Sequence, residues 1–166
     1  MKILVLSDTH SKRDFMYRCI DAFKPDTVVH LGDHYRDAEY LRDLYPNLVV
    51  HQVVGNCDYD YSPNARRMLC YSLGGVMTYM THGHNHHVKM AGTDYLLADA
   101  RKFGAKLVLY GHTHKVDCRQ EPDGVWVLNP GSAGRGTALS AGVVKTDGEK
   151  VTACYLLTEK DLEDWV

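Results

Sequence analysis

The stretch LVLYGHTH, Leu107 to His114, carries an apolar run straight into a glycine and two histidines one residue apart. A short apolar run bounded by polar residues is typical of a buried β-strand. The histidines after it have two interpretations: a polar turn that happens to contain imidazoles, or a metal site at the end of the strand. A metal site shared between strands predicts that other strands of the chain end in the same way, whereas a chance turn makes no such prediction.

Four other apolar runs also end in side chains that can bind metal ions. They lead into SDTH at 7–10, LGD at 31–33, GNCD at 55–58 and THGH at 81–84. In open α/β sheets, the loops after the carboxyl ends of the strands meet at one edge. Any one of these motifs is common, whereas five in order after strands predict a shared metal centre. The candidate ligands are Asp8, His10, Asp33, Asn56, His82, His112 and His114.

The first third of the chain predicts an α/β fold. Strands at KILVLSD, DTVVHLGD and NLVVHQVVG alternate with a helix over 12–23 and a second helix around DAEYLRDLY. Ser11 is the expected cap of the first helix, and Pro25 ends it. The order βαβαβ implies a parallel sheet with right-handed crossovers.

The rest of the chain is richer in strands. Gly74-Gly75 predicts a hairpin turn, and residues 91–103 have helical spacing that ends at Gly104. The later runs GVWVLNPGS, ALSAGVVKT and KVTACYLL are strand-like, so we expect a second sheet. No linker or repeat interrupts the pattern, which predicts one domain over residues 1–166.

The spacing within the motifs suits metal coordination. Side chains at i and i+2 of an extended segment can point the same way, so each of Asp8/His10 and His112/His114 can offer two ligands to one centre. Seven mixed nitrogen and oxygen ligands exceed what one ion needs, and two ions sharing the carboxylate of Asp33 would use them. Imidazole with carboxylate suits Mn, Fe, Zn or Ni, and we expect manganese.

Composition excludes several classes of protein. Lys and Arg number 19 against 21 Asp and Glu, for a net charge of -2. This balance argues against long nucleic acids as partners, because these require a basic face. No apolar run approaches 18 residues, so no membrane span is expected. The five cysteines are odd in number and form no C-x-x-C pair, which favours a reducing cytoplasm.

The ordered motifs resemble those of the calcineurin-like metallophosphoesterase superfamily. The resemblance rests on Asp8-x-His10, Gly32-Asp33, Gly55-Asn56, His82 and Gly111-His112-x-His114. The compact length, Gly-Asn-Cys-Asp and Asn129-Pro130-Gly131-Ser132 further resemble its small single-domain, YfcE-like phosphodiesterase branch. The resemblance implies a four-layer αββα sandwich of two mixed β-sheets.

It also implies a dinuclear phosphodiesterase that hydrolyses small phosphodiesters by in-line attack of a metal-bridging hydroxide. The catalytic residues would be Asp33, Asn56, His82 and His112. One ion would be held by Asp8, His10, Asp33 and His114, and the other by Asp33, Asn56, His82 and His112. A homodimer or higher assembly is a further expectation from the family.

One motif departs from the wider superfamily pattern. The superfamily usually has histidine where this chain has Cys57. A thiol is a poor proton donor to an alkoxide, so we expect Cys57 to be a buried packing residue and the enzyme to favour esters with acidic leaving groups. Asp58 is either a turn carboxylate or the support of a neighbouring ligand. His84 is a candidate contact for the substrate phosphate.

The resemblance raises a second function from a different class. The retromer scaffold subunit belongs to the same branch and uses this fold to bind proteins. A scaffold that has lost catalysis would be expected to lack some ligands, whereas all seven positions are filled here. The sequence therefore favours the enzyme over the scaffold. A third hypothesis, a nuclease, is limited to short oligonucleotides or cyclic nucleotides as substrates.

Overall fold

A computed structural model describes residues 1–59 and 63–163. Its strands are β1 (Lys2–Leu6), β2 (Thr27–His30), β3 (Val49–Gln52), β4 (Met68–Leu73), β5 (Val76–Thr81), β6 (Leu107–Leu109), β7 (Val116–Gln120), β8 (Trp126–Pro130), β9 (Ser140–Thr146) and β10 (Val151–Thr158). Its helices are α1 (Asp14–Phe23), α2 (Tyr35–Leu44), α3 (Val88–Ala91), α4 (Asp94–Lys102) and α5 (Glu159–Glu163), with a 3₁₀ turn at His84–His86.

The strands form two mixed sheets of five strands each. The first has the order β10-β9-β1-β2-β3, and the second has the order β4-β5-β6-β8-β7. Strands β1, β2 and β3 run parallel, as the βαβαβ order predicted, and so do β5, β6 and β8. Strands β9 and β10 are antiparallel additions to the first sheet. The expected second sheet is confirmed, but the last two strands belong to the first.

Alternation along β1 explains why the sheets stack. Ile3 and Val5 pack into an apolar layer between the two sheets, whereas Leu4 and Leu6 pack against the helices on the outer face. Strand β6 does the same on the second sheet: Leu107 and Leu109 face the first sheet, and Val108 faces helix α4. Helices α1, α2 and α5 cover the first sheet. The result is the αββα sandwich that the resemblance implied.

The structure differs locally from the prediction at the start of the first helix and in two elements that were not predicted. Helix α1 begins at Asp14 rather than at residue 12, and the side chain of Ser11 does not cap it. The backbone of Ser11 is left-handed and its N–H donates to Asp37 Oδ2, so it cannot take the cap position. Strand β7 and helix α5 were not predicted. The sequence of β7 is VDCRQ. Its mixed polarity is suitable for an edge strand but gives no clear apolar pattern from which a strand could be predicted.

Within residues 1–59 and 63–163, no helix has the length and apolar character needed to cross a bilayer. The polar composition of residues 59–67 predicts a loop, and this segment lies partly outside the described residues.

Candidate metal centre

The loops after five strands converge on one rim of the sandwich. They follow β1, β2 and β3 in the first sheet and β5 and β6 in the second, and together they carry all seven candidate ligands. Ligand atoms of Asp8, His10 and His114 lie within 4.8 Å of one another, as do those of Asp8, Asp33 and His82. Asn56 Oδ1 lies 3.1 Å from His82 Nε2, and the rings of His82 and His112 are 5.0 Å apart. The structure therefore brings the seven side chains into one cluster.

The two carboxylates share a common arrangement. Asp8 Oδ2 accepts hydrogen bonds from the Ser7 hydroxyl (2.5 Å) and from the His112 N–H (3.1 Å). Asp33 Oδ1 accepts one from the Cys57 N–H (2.8 Å). The other oxygen of each faces imidazoles: Asp8 Oδ1 lies 2.9 Å from His114 Nε2, and Asp33 Oδ2 lies 3.5 Å from His82 Nε2. One oxygen anchors each carboxylate, which leaves the second for a cation.

Unpaired polar atoms at the rim show that a cation would fit. Among the described residues, Asp8 Oδ1 and His10 Nε2 are fully buried without a hydrogen-bond partner. Buried polar atoms are rarely left unpaired in proteins, and a bound ion is one of the usual reasons. His10 Nε2 also lies 3.8 Å from Asp8 Oδ1 and 3.9 Å from Asp33 Oδ2, a spacing that leaves room for an ion between them.

The tautomer of His82 is set by the backbone. Its Nδ1 lies 2.7 Å from the carbonyl oxygen of Leu31, which can only accept, so Nδ1 carries the hydrogen. The lone pair of neutral Nε2 then points toward oxygens of Asn56, Asp33 and Asp8, the last at 4.0 Å. A hydrogen bond from the remote ring nitrogen to a carbonyl is the usual way in which proteins orient a metal-binding histidine.

Both carboxylates are ionised at neutral pH. Burial raises the pKa of Asp8, but the neighbouring imidazoles, His10 and His114 foremost, outweigh it and hold that pKa far below its usual range. Burial also raises the pKa of Asp33, yet His82 and the N–H of Cys57 bring it to about 2. Ionised carboxylates are the form that binds a metal ion.

The pKa values of two imidazoles shift in opposite directions. Burial, with the positive charges of His82 and Lys89, lowers the pKa of His112 to about 4, so this ring is neutral and able to bind a metal. Burial would also lower the pKa of His82, but Asp33 and Asp8 raise it above its ordinary value. The carboxylates thus attract a positive charge to Nε2 of His82, and a metal ion can replace the proton there.

The backbone at the rim is strained. Five of the seven candidate ligands have φ between 45° and 70°: Asp8, His10, Asp33, His112 and His114. Left-handed backbone costs about 1 kcal/mol or more at a residue with a side chain, and such residues cluster at functional sites. This conformation turns the side chains of successive residues inward at the end of a strand.

Two glycines allow the loops to approach one another. A Cβ on Gly55 would lie 2.0 Å from Asp33 Oδ1, and one on Gly111 would lie 2.1 Å from the Ser7 hydroxyl oxygen. Both distances are shorter than any real contact, so a side chain at either position would push an anchored carboxylate out of place. In the sequence, a glycine directly before Asn56 and another before His112 predict such close approach, because a Cβ would obstruct it, and the structure confirms this prediction.

Asp58 positions the loop that carries Asp33. Its buried carboxylate accepts N–H groups from Asp33 (3.0 Å), Gly55 (2.7 Å) and Tyr35 (2.7 Å). These bonds tie the loop after β2 to the loop after β3. Of the two interpretations of Asp58, the structure therefore favours the support of a neighbouring ligand.

Further supports lie outside the predicted set. The Ser132 hydroxyl donates to the carbonyl oxygen of Asp8 (2.8 Å), and Asn129 Nδ2 donates to that of Gly111 (3.0 Å). Both residues belong to the Asn-Pro-Gly-Ser sequence, in which Asn129 lies near the end of β8 and Ser132 lies just beyond it. Polar residues at and just after the end of a buried strand were the available signal.

The expectation that Cys57 is a buried packing residue is wrong, because its side chain is exposed. Its Sγ lies within 4.8 Å of ligand atoms of His10 and Asp33, since the N–H of Cys57 anchors Asp33 and draws the residue to the rim. His84 lies beside the cluster, with its ring 5.4 Å from that of His82. It also lines a cleft of about 390 Å³ with Asn56 and Arg67. Cys57 and His84 both border the space that a ligand of the rim would occupy.

The fold and the rim together define a metallophosphoesterase. Residues 1–150 match the family model of the calcineurin-like phosphoesterase superfamily domain, and the chain belongs to that superfamily. A probable metallophosphoesterase of Mycoplasma pneumoniae is 29% identical over 135 residues, which cover 79% of this chain and 78% of that protein.

Solved structures share the fold. A predicted phosphoesterase of Streptococcus pneumoniae has a TM-score of 0.71 at 25% identity, covering 95% of this chain and 97% of that chain. Vps29 of Entamoeba histolytica, solved in complex with Zn²⁺, has a TM-score of 0.74 at 20% identity, covering 95% and 99%. The Escherichia coli phosphoesterase YfcE has a TM-score of 0.62 at 20% identity, covering 93% and 98%. The last two show likeness of fold alone.

Proposed function

We propose that this protein is a dinuclear metal-dependent phosphodiesterase that acts on small phosphodiesters. Asp33 would be shared between the two ions, which we expect to be Mn²⁺. The first ion would be held by Asp8, His10, Asp33 and His114, and the second by Asp33, Asn56, His82 and His112. When bound, such ions act as Lewis acids toward phosphoryl oxygens and supply hydroxide near neutral pH.

The observation that supports the proposal is the pair of carboxylate oxygens that face imidazole nitrogens. Asp8 Oδ1 and Asp33 Oδ2 both point into a group of imidazoles, and Asp8 Oδ1 has no hydrogen-bond partner among the described residues. Hydrogen bonds fix the opposite oxygen of each carboxylate. A surface built only for packing would not bury two carboxylates with one oxygen of each turned toward several imidazoles, because buried charges are costly.

The surrounding residues determine which substrates fit. The cleft beside Asn56 is lined by His84 and Arg67, so it can receive an anionic ester next to the ligand cluster. Burial and the charge of His82 lower the pKa of His84, which is therefore a neutral imidazole able to donate or accept a hydrogen bond. The exposed thiol of Cys57 stands where the wider family has a proton donor. This favours leaving groups that depart without protonation.

The second candidate is a protein-binding scaffold of the retromer type. Vps29 shares the fold, and one Vps29 was solved with Zn²⁺, so a bound ion does not by itself distinguish the two functions. Turnover does. The complete set of seven ligands and the cleft beside them favour the enzyme.

The test is a screen of phosphoesters with purified protein in Mn²⁺. We expect hydrolysis of bis(p-nitrophenyl) phosphate, with slower hydrolysis of p-nitrophenyl phosphate, and loss of both activities on chelation. Asp33→Asn should reduce turnover by more than about 100-fold, beyond the losses typical of changes outside the ligand set. Asp26→Asn removes an exposed carboxylate that precedes β2, at the opposite end of this strand from Asp33, and is the matched control. No turnover of any ester by metal-loaded wild type would favour the scaffold.

A further inference from the structure

Two thiols meet at one edge of the sandwich, between the edge strands of the two sheets. Cys118 lies on β7, the edge strand of the second sheet, and Cys154 lies on β10, the edge strand of the first. Their Sγ atoms are 3.3 Å apart, and both are half-buried free cysteines. Of the described cysteines, this is the pair whose sulfur atoms are in contact.

The register of both strands directs the thiols toward each other. Cys118 lies opposite Leu128, and Cys154 lies opposite Val144, and both of these partners belong to the apolar layer between the sheets. Strand β10 reaches this register through an irregularity between Val151 and Ala153. Side chains alternate along a strand, so a shift of one residue reverses every side chain that follows. Without the irregularity in β10, the side chain of Cys154 would face outward.

We propose that Cys118 and Cys154 form a reversible disulfide that links the two sheets when the protein meets a peroxide. One of the two thiols loses its proton, and its thiolate attacks one peroxide oxygen, which breaks the O–O bond and gives a sulfenic acid and a hydroxide that takes up the proton to form one water. The sulfur of the other cysteine then attacks the sulfenic sulfur, forming the S–S bond and releasing the second water. Two thiols lose two electrons and two protons, and one hydrogen peroxide is reduced to two waters.

The geometry requires little movement. A disulfide has sulfur atoms about 2.05 Å apart, so the thiols must approach by roughly 1.3 Å from their present contact. Strands β7 and β10 already bring Cα atoms within 8 Å of each other, which is compatible with a bond after rotation of the two side chains. Burial and the adjacent Cys118 raise the pKa of Cys154, and the thiolate form is the one that attacks a peroxide.

The link would stabilise the edge next to the metal-binding rim. It would close a loop between residues 36 apart in sequence, and β7 begins two residues after His114. Cross-linking a loop of this size restricts the unfolded chain, so the thermal midpoint should rise by about 5–10 °C. The effect does not depend on catalysis and can be measured on protein that turns over no substrate.

The test uses full-length protein treated with hydrogen peroxide, quenched with an alkylating agent under denaturing conditions and digested. We expect a peptide pair joined through Cys118 and Cys154, a mass 2 Da below that of the dithiol, and complete reversal by dithiothreitol. The thermal midpoint should rise with the cross-linked fraction. Cys118→Ser and Cys154→Ser should each abolish both effects.

Cys70→Ser is the matched control, because Cys70 is also a half-buried strand cysteine. This variant should form the cross-link as wild type does. The proposal is overturned if peroxide oxidises the exposed Cys57 while the Cys118 and Cys154 peptides remain unlinked. It is equally overturned if the cross-link forms but the thermal midpoint falls, since the native pairing would then be strained by the bond.

Discussion

Replacing Asp58 with asparagine tests how the loop that carries Asp33 is held. The carboxylate of Asp58 accepts three backbone N–H groups while buried, from Asp33, Gly55 and Tyr35. Asparagine keeps one acceptor oxygen but turns an NH₂ group toward at least one of these donors. The native contacts therefore lose charge assistance, and one N–H is left facing another donor.

The magnitude follows from these three bonds. Hydrogen bonds to a charged group contribute about 1.5–3 kcal/mol each, and an unsatisfied buried donor costs about 1–3 kcal/mol. Because Asn retains the two bonds of one oxygen in weakened form, we expect Asp58→Asn to lower the free energy of unfolding by about 3 kcal/mol. For a chain of this size, the thermal midpoint should fall by about 6–12 °C.

Denaturant unfolding and metal content would be measured together on Asp58→Asn and on Asp26→Asn. Asp26 accepts a single backbone N–H, from Lys2, at an exposed position, so its substitution should change stability much less. In Asp58→Asn, the displaced Asp33 should also weaken manganese binding. Equal stability of the two variants, or unchanged manganese affinity in Asp58→Asn, would refute the assigned role.

Two other predictions concern pH and leaving groups. Burial lowers the pKa of His30 despite nearby carboxylates, so this residue is neutral in the folded state while the unfolded chain takes up a proton below about 6.5. Its stabilising contribution is complete above that pH and is lost as the pH falls toward the folded pKa. Urea midpoints of chelated protein between pH 7.5 and 5 should therefore decline more steeply for wild type than for His30→Gln, and equal slopes would contradict this. Wild type should hydrolyse aryl phosphodiesters far faster than alkyl ones, and Cys57→His should narrow that ratio; a ratio near one in wild type would show that protonation of the leaving group does not limit the reaction.

The motifs at the ends of the strands were enough to predict most residues of the candidate site from the sequence. Asp8, Asp33 and Asn56 each follow an apolar run of the first sheet, whose parallel strands place such ends together whatever the intervening loops do. Gly55 and Gly111 signalled close approach for a similar reason, since only a missing Cβ fits there. Local chemistry was enough to predict these features.

Other features depend on contacts that no local pattern encodes. Cys57 looked like a packing residue because a thiol is usually buried, but its N–H must reach Asp33 and this leaves the side chain at the surface. Strand β7 is stabilised by its antiparallel pairing with β8, and its own sequence is mixed in polarity. The supporting bonds of Ser132 and Asn129 span 124 and 18 residues, so only the folded chain reveals them.

Manganese titration of chelator-treated wild-type protein tests the central claim most directly. Equilibrium dialysis with elemental analysis would give the number of ions bound per chain. We expect two ions in wild type and at least one fewer in Asp33→Asn, because both proposed sites share that carboxylate. Failure of wild type to bind any ion at millimolar Mn²⁺, or an unchanged number in Asp33→Asn, would contradict the proposed metal centre.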